Sequence, residues 1–141
     1  MKMFKDKNRS CVLLKNDRGQ FLFIKENSDD YWILPGGKKE TGESWYDAAE
    51  REIYEELKIK LTDITFRGMI ENHFYIDNCF YNETMVIFDS CFTGDVLNHE
   101  NHIARQCRWL SKSELIDLPL QPEPLREFLL NNLAYYRKER S

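Results

Sequence analysis

Between Gly37 and Ile59 a glycine turn stands directly before a segment with two unlike faces, and this arrangement constrains the chain more than any other. Pro35-Gly36-Gly37 allows a tight turn whose backbone can approach other groups closely. Residues 44–57 then carry Tyr46, Ala49, Ile53 and Leu57 at spacings of three and four, the stripe of an amphipathic helix. Ser44 is a good N-cap, and Asp47 stands three residues on, close to a capping box. Residues three and four apart share a helix face, so Glu52, Glu55 and Glu56 are expected to project together, within roughly 100° of arc beside the apolar stripe. Such a helix buries one side and holds three carboxylates at the edge of a cleft.

Clustered carboxylates repel one another unless a cation sits between them. Hard divalent cations take oxygen ligands, and Mg²⁺ combines a few carboxylates with substrate phosphate oxygens. The pattern therefore suits phosphate chemistry, in which a metal neutralises charge and lowers the pKa of an attacking water. A solvated acidic face is the competing reading of an isolated E-x-x-E-E. Here the carboxylates come with Gly37, Glu43 and Arg51 at fixed offsets.

The remaining segments mix strands and helices, which predicts an α/β layered domain. Apolar or β-branched runs at residues 10–15, 21–25, 31–34, 64–71, 85–92 and 107–110 read as strands. Asn16-Asp17-Arg18-Gly19 marks a hairpin turn, and Asp77-Asn78 with Asn82 a second turn. A short helix is expected over 112–118, and a last one from Pro122 to about residue 136. No linker or repeat divides residues 1–141, so one domain is expected. The net charge of −4 argues against broad nucleic-acid binding, and no apolar run is long enough for a signal peptide or a membrane helix. Cys11, Cys79, Cys91 and Cys107 form no C-x-x-C pair and read as reduced thiols of a cytoplasmic protein.

Gly37, Glu43, Arg51, Glu52, Glu55 and Glu56, with Ile53 and Ile59 at the bulky aliphatic positions, match G-x5-E-x7-R-E-U-x-E-E-x-G-U. At about 1 in 15 per identity, six together arise by chance roughly once in ten million starts. On these residues the chain resembles the Nudix hydrolases. The lead-in Trp32-Ile33-Leu34-Pro35-Gly36-Gly37 and the later Arg108-Trp109-Leu110 are similar to the family as well. One position departs: Lys58 stands where the box has glycine, at a place where a left-handed conformation is common and a lysine costs about 1 kcal/mol.

The resemblance implies a Nudix fold, an α/β/α sandwich around a central mixed β-sheet. It implies metal-dependent hydrolysis of a phosphoanhydride bond in a nucleoside-diphosphate-linked substrate, such as a nucleoside triphosphate or a nucleotide sugar. Mg²⁺ (or Mn²⁺) would be held by Glu52, Glu55 and Glu56, with the Gly37 carbonyl as a further ligand, while Arg51 pairs with a box glutamate such as Glu43. A Nudix-fold module that binds nucleotide without catalysis is the alternative. The general base is open among Glu56, Glu83 and Glu100. Lys38 and Lys39 are candidates for phosphate contacts, followed by Arg9, Lys25 and Arg67. Tyr31, Trp32, Phe74 and Tyr75 are candidates for base stacking, though a core or strand-face role explains each alone. His99 and His102 with Glu100 mimic a metal-binding spacing that a polar loop explains better. The expected partner is a small nucleotide-type molecule, with no membrane. Leu125, Phe128, Leu129 and Leu133 of the last helix could pack on their own domain or form a homodimer.

Overall fold

The computed structural model describes residues 3–94, 96 and 105–138. Its centre is a seven-stranded sheet of β1 (Met3–Lys15), β2 (Phe21–Glu26), β3 (Gly36–Lys38), β4 (Ile64–Ile76), β5 (Cys79–Cys91), β6 (Arg105–Leu110) and β7 (Tyr135–Lys138). The order is β6-β2-β1-β5-β4-β7, with β3 also pairing with β1. β1 runs parallel to β5 and β7 parallel to β4, whereas the other pairs are antiparallel, so the sheet is mixed. Helix α1 (Trp45–Leu57) covers one face; α2 (Lys112–Leu115) and α3 (Pro124–Leu130) cover the other.

Two apolar clusters explain why the central strands read as continuous hydrophobic runs. Successive side chains of a strand point to opposite faces, and a strand covered on both sides has no polar alternation. Cys11 and Leu13 join Phe128, Leu125 and Ile70 on the α3 side, whereas Val12 and Leu14 join Ala49, Ile53 and Leu57 on the α1 side. Burying a side chain such as Phe128 or Ile53 stabilises by roughly 1.5–3 kcal/mol.

The sheet is longer than the apolar runs suggest. β1 begins at Met3, and β4 and β5 run on to a two-residue turn at Asp77-Asn78, where Asp77 has φ 54°. Asn82 lies inside β5. The charged stretch of β1, residues 3–9, pairs through its backbone in unbroken register with β5 while its side chains stay largely exposed. Residues 31–34 form only isolated bridges, Ile24 to Ile33 and Trp32 to Leu120, and the third strand is Gly36–Lys38. The last helix stops at Leu130. Asn132 then turns the chain with φ 53°, and β7 adds to the sheet edge. Leu125, Phe128 and Leu129 are buried against the chain's own sheet, so this face offers no surface to a second copy. Among the described residues no helix is long and apolar enough to cross a membrane.

Candidate active site

Helix α1 starts where the sequence places it. The Ser44 side chain accepts the Asp47 N–H at 2.9 Å, and Lys58 ends the helix in the left-handed region at φ 56° and ψ 29°, its N–H bonded to the Tyr54 carbonyl. The buried Ser10 hydroxyl donates to the Trp45 carbonyl at 2.6 Å, fixing the helix start on β1. Tyr46, expected in the apolar stripe, is instead 43% exposed and meets Phe88 edge-on, while Ala48 is buried in its stead.

β3 lies between β1 and α1, with Gly36 opposite Cys11 and Gly37 opposite Ser10. Both positions are crowded, Gly36 by backbone and Gly37 by a side-chain end. A Cβ on Gly36 would meet the Ser10 carbonyl oxygen at 2.3 Å, and one on Gly37 would meet the Glu52 carboxylate at 2.5 Å. The glycines thus bring backbone against the carboxylates of the helix.

Arg51 is the hub of the site. Its Nε and Nη2 donate to the two oxygens of Glu43 at 2.7 and 3.1 Å, a bidentate pair. Its Nη1 donates to Glu52 at 3.0 Å and Glu55 at 3.3 Å, and Nη2 also reaches the Lys38 carbonyl at 3.0 Å. The hydrogen bond from Arg51, helped by the Glu40 N–H, holds the Glu43 carboxyl down to about 2, and the same contacts raise the guanidinium pKa.

The three box glutamates are not equivalent. Glu56 is buried, accepts the Gly36 N–H at 3.3 Å, and lies 3.5 Å from Arg105 Nη1. Glu52 faces Gly37, and Glu55 turns outward with its side chain 52% exposed. Among the described residues no three ligating side chains converge closely enough to hold an ion ready-made. The donors still suit a hard divalent cation: all are oxygens, Glu52 and Glu56 flank the same glycine pair, and Mg²⁺ needs only one or two carboxylates beside waters and phosphate oxygens.

Next to these groups is a cavity of about 690 Å³, lined among others by Lys7, Arg9, Tyr31, Asn72, Phe74 and Glu83. Lys7 and Arg9 alternate on one side of β1, Glu83 is the register partner of Lys7, and Asn72 that of Glu83. The Arg9 pKa is raised by Cys11 first and then by Glu83, Glu56 and Glu52, against the opposing effect of burial. Cys11 itself is pushed up to about 11 by burial and is an inert thiol. The Asn72 side-chain oxygen is buried without a hydrogen-bond partner. Such a volume and a mixed polar and aromatic lining suit a small-molecule ligand.

The other expected residues divide. Lys38 lines a second hollow with Lys5, Lys7 and Arg9, whereas the Lys39 ammonium sits over the Trp45 ring at 5.5 Å. Lys25 donates to the Asp29 carbonyl at 2.9 Å. Arg67 is at another part of the sheet, bonded to the Leu133 carbonyl and Asn132. Trp32 is buried in the core, and Tyr75 packs on Phe80, leaving Tyr31 and Phe74 as the candidate aromatics in the cavity. His99, Glu100 and His102 lie outside the described residues. Arg105 carries no sequence signal, since a charged residue at the start of a strand is ordinary.

The model of the family described as NUDIX domain matches residues 5–131. The chain is 44% identical over 121 residues to the "Putative 8-oxo-dGTP diphosphatase" of Bacillus subtilis, covering 86% of this chain and 75% of that protein. It is 32% identical over 93 residues to an RNA pyrophosphohydrolase of a Wolbachia species, 64% of this chain and 53% of the relative. In fold it is similar to the crystal structure of a MutT protein from Methanosarcina mazei, with a TM-score of 0.73, 24% identity, and 93% and 94% of the two chains covered. The arginine-tied carboxylates on α1, the glycine pair beneath them and the family match over residues 5–131 agree: this chain belongs to the Nudix hydrolase family.

Proposed function

We propose that this hydrolase cleaves a phosphoanhydride bond in a nucleoside-diphosphate-linked small molecule that occupies the cavity beside α1. The observation that carries the reading is Arg9, which lines the cavity with Lys7, stands next to the Ser10–Gly37 pair of β1 and β3, and is close enough to Glu52 and Glu56 for their charges to raise its pKa. Glu52 and Glu56 would hold Mg²⁺ or Mn²⁺, with Glu55 and the Gly37 carbonyl as further candidate ligands. When bound, such an ion neutralises phosphate charge and lowers the pKa of the attacking water. Arg51 keeps Glu43, Glu52 and Glu55 in fixed orientation. Arg9 and Lys7, which line the cavity, offset the charge of phosphate oxygens, and Lys38 adds charge from the neighbouring hollow that it shares with them. Glu83 faces the cavity and Glu56 the glycine pair, and either can take the proton of the water.

Similarity to the Bacillus subtilis relative supports a nucleoside triphosphate, with an oxidised purine among the first to try. The lining favours a second reading. Asn72, Glu83, Gln121, Glu26 and Asp29 place many hydrogen-bonding groups beside the apolar Tyr31, Ile33, Phe74 and Ile76, and such groups suit the hydroxyls of a nucleotide sugar. The test is a panel of nucleoside triphosphates, oxidised nucleotides and nucleotide sugars with Mg²⁺ or Mn²⁺, products read by mass spectrometry, beside a Glu56→Gln control. Turnover that needs both metal and Glu56 is expected. Nucleotide binding without turnover of any compound would point instead to a non-catalytic module.

A further inference from the structure

Glu56 is the most deeply set of the box glutamates, and the cation beside it comes from a distant strand. The two side chains are 8% and 7% exposed for Glu56 and Arg105, with Arg105 Nη1 3.5 Å from Glu56 Oε2. The other carboxylate oxygen accepts the Gly36 N–H. Arg105 opens β6 opposite Glu26 of β2, so the ion pair joins the sheet to α1. A buried carboxylate needs compensation, and the Arg105 guanidinium supplies a positive charge beside it.

That compensation has a consequence if Glu56 is a metal ligand, the reading above on which this inference rests. A divalent ion and a guanidinium would then claim one carboxylate, and the two cations would repel each other at short range. We propose that Arg105 is a positioning residue that competes with the divalent ion for Glu56 and thereby sets the affinity of the site for that ion. Arg51 holds Glu43, Glu52 and Glu55, Arg105 lies against Glu56, and Arg9 is close enough to feel the charges of Glu52 and Glu56. An ion held against this opposition would be bound less tightly than by the same carboxylates alone.

The experiment is Mn²⁺ binding to the full chain, followed by electron paramagnetic resonance, for wild type, Arg105→Gln, Arg105→Lys and Glu56→Gln. Melting temperatures are taken in EDTA and in Mn²⁺. Arg105→Gln is expected to bind Mn²⁺ at least about tenfold more tightly, because a full positive charge next to a ligand has been removed. Arg105→Lys keeps the charge and stays within about threefold of wild type, the scale of a reshaped ion pair. In EDTA Arg105→Gln melts below wild type, and Mn²⁺ raises its melting temperature by more than it raises that of wild type, since the ion replaces the missing charge. A merely structural role would lower stability equally in both conditions.

Equal or weaker Mn²⁺ binding by folded Arg105→Gln, with Glu56→Gln weakened, overturns the inference and leaves the metal reading intact. Unchanged binding by Glu56→Gln overturns the metal reading and the inference together. If Arg105→Gln does not fold even in Mn²⁺, Arg105→Lys decides: a change beyond threefold overturns the proposal, and a smaller one supports it.

Discussion

Gly37→Ala separates the chemistry of the site from its fold. The new Cβ would lie 2.5 Å from both Cδ and Oε2 of Glu52 and 2.7 Å from Oε1. An ordinary contact begins near 3.4 Å, so the carboxylate must retreat by roughly 0.9 Å. Active groups must be held within about 0.5 Å, and a misplacement of about 1 Å costs on the order of 100-fold. The end of a flexible side chain can move this far, and Gly37 is not in the left-handed region. Stability is therefore expected to stay within about 1 kcal/mol of wild type, while Mn²⁺ affinity and kcat/KM fall by about 10- to 100-fold.

Gly36→Ala supplies the contrast. Its Cβ would meet backbone, the Ser10 carbonyl oxygen at 2.3 Å and the Cys11 Cα at 2.6 Å, at a φ of 144°. The strained backbone and the overpacking each cost about 1–3 kcal/mol, which lowers Tm by on the order of 10 °C. Circular-dichroism melts in EDTA and Mn²⁺ titrations of both variants suffice. The reasoning is refuted if folded Gly37→Ala keeps metal affinity and kcat/KM within threefold, or if Gly36→Ala melts with the wild type.

Lys58→Gly should raise stability by about 1 kcal/mol in urea unfolding, because the residue sits at φ 56°, where glycine carries no Cβ penalty. Glu43 is held down to about 2 by Arg51, so its folded-state pKa lies below its unfolded one. Its contribution to stability is present above the ordinary carboxylate range near 4.5 and is lost as pH falls through 2. Carbon-13 NMR titration should show a Glu43 carboxyl titrating near the bottom of the accessible range, and Arg51→Gln should move it up. Phe128→Ala removes a fully buried ring from the cluster beneath α3 and should cost about 3–5 kcal/mol in denaturant unfolding.

Helix α1 was legible because its signals are local. Its cap at Ser44, its apolar positions at Ala49, Ile53 and Leu57, and its awkward end at Lys58 all depend on residues a few positions apart. The central strands were legible for a related reason, since only a sheet covered on both faces explains runs such as Cys11–Val12–Leu13–Leu14. Strand ends were not. Residues 3–9 look like a solvated charge run, and they enter the sheet only because β5 offers a backbone partner along their whole length. Residues 131–138 carry no β signal strong enough to end a helix, yet Tyr135–Lys138 pairs with Met69–Asn72 at an open edge.

The sequence by itself determined the kind of chemistry, because the spacing of Glu43, Arg51, Glu52, Glu55 and Glu56 is a property of one loop and one helix. Only the tertiary structure decided how those groups differ. Glu56 is buried because β3 and β6 close over it, and Glu55 is half exposed because, among the described residues, nothing covers that side of α1. The cavity lining of Arg9, Lys7, Glu83, Asn72 and Phe74 gathers from three strands, and Arg105 reaches Glu56 across 48 intervening positions of sequence. Contacts of that kind are set by register and packing, which short-range spacing does not encode.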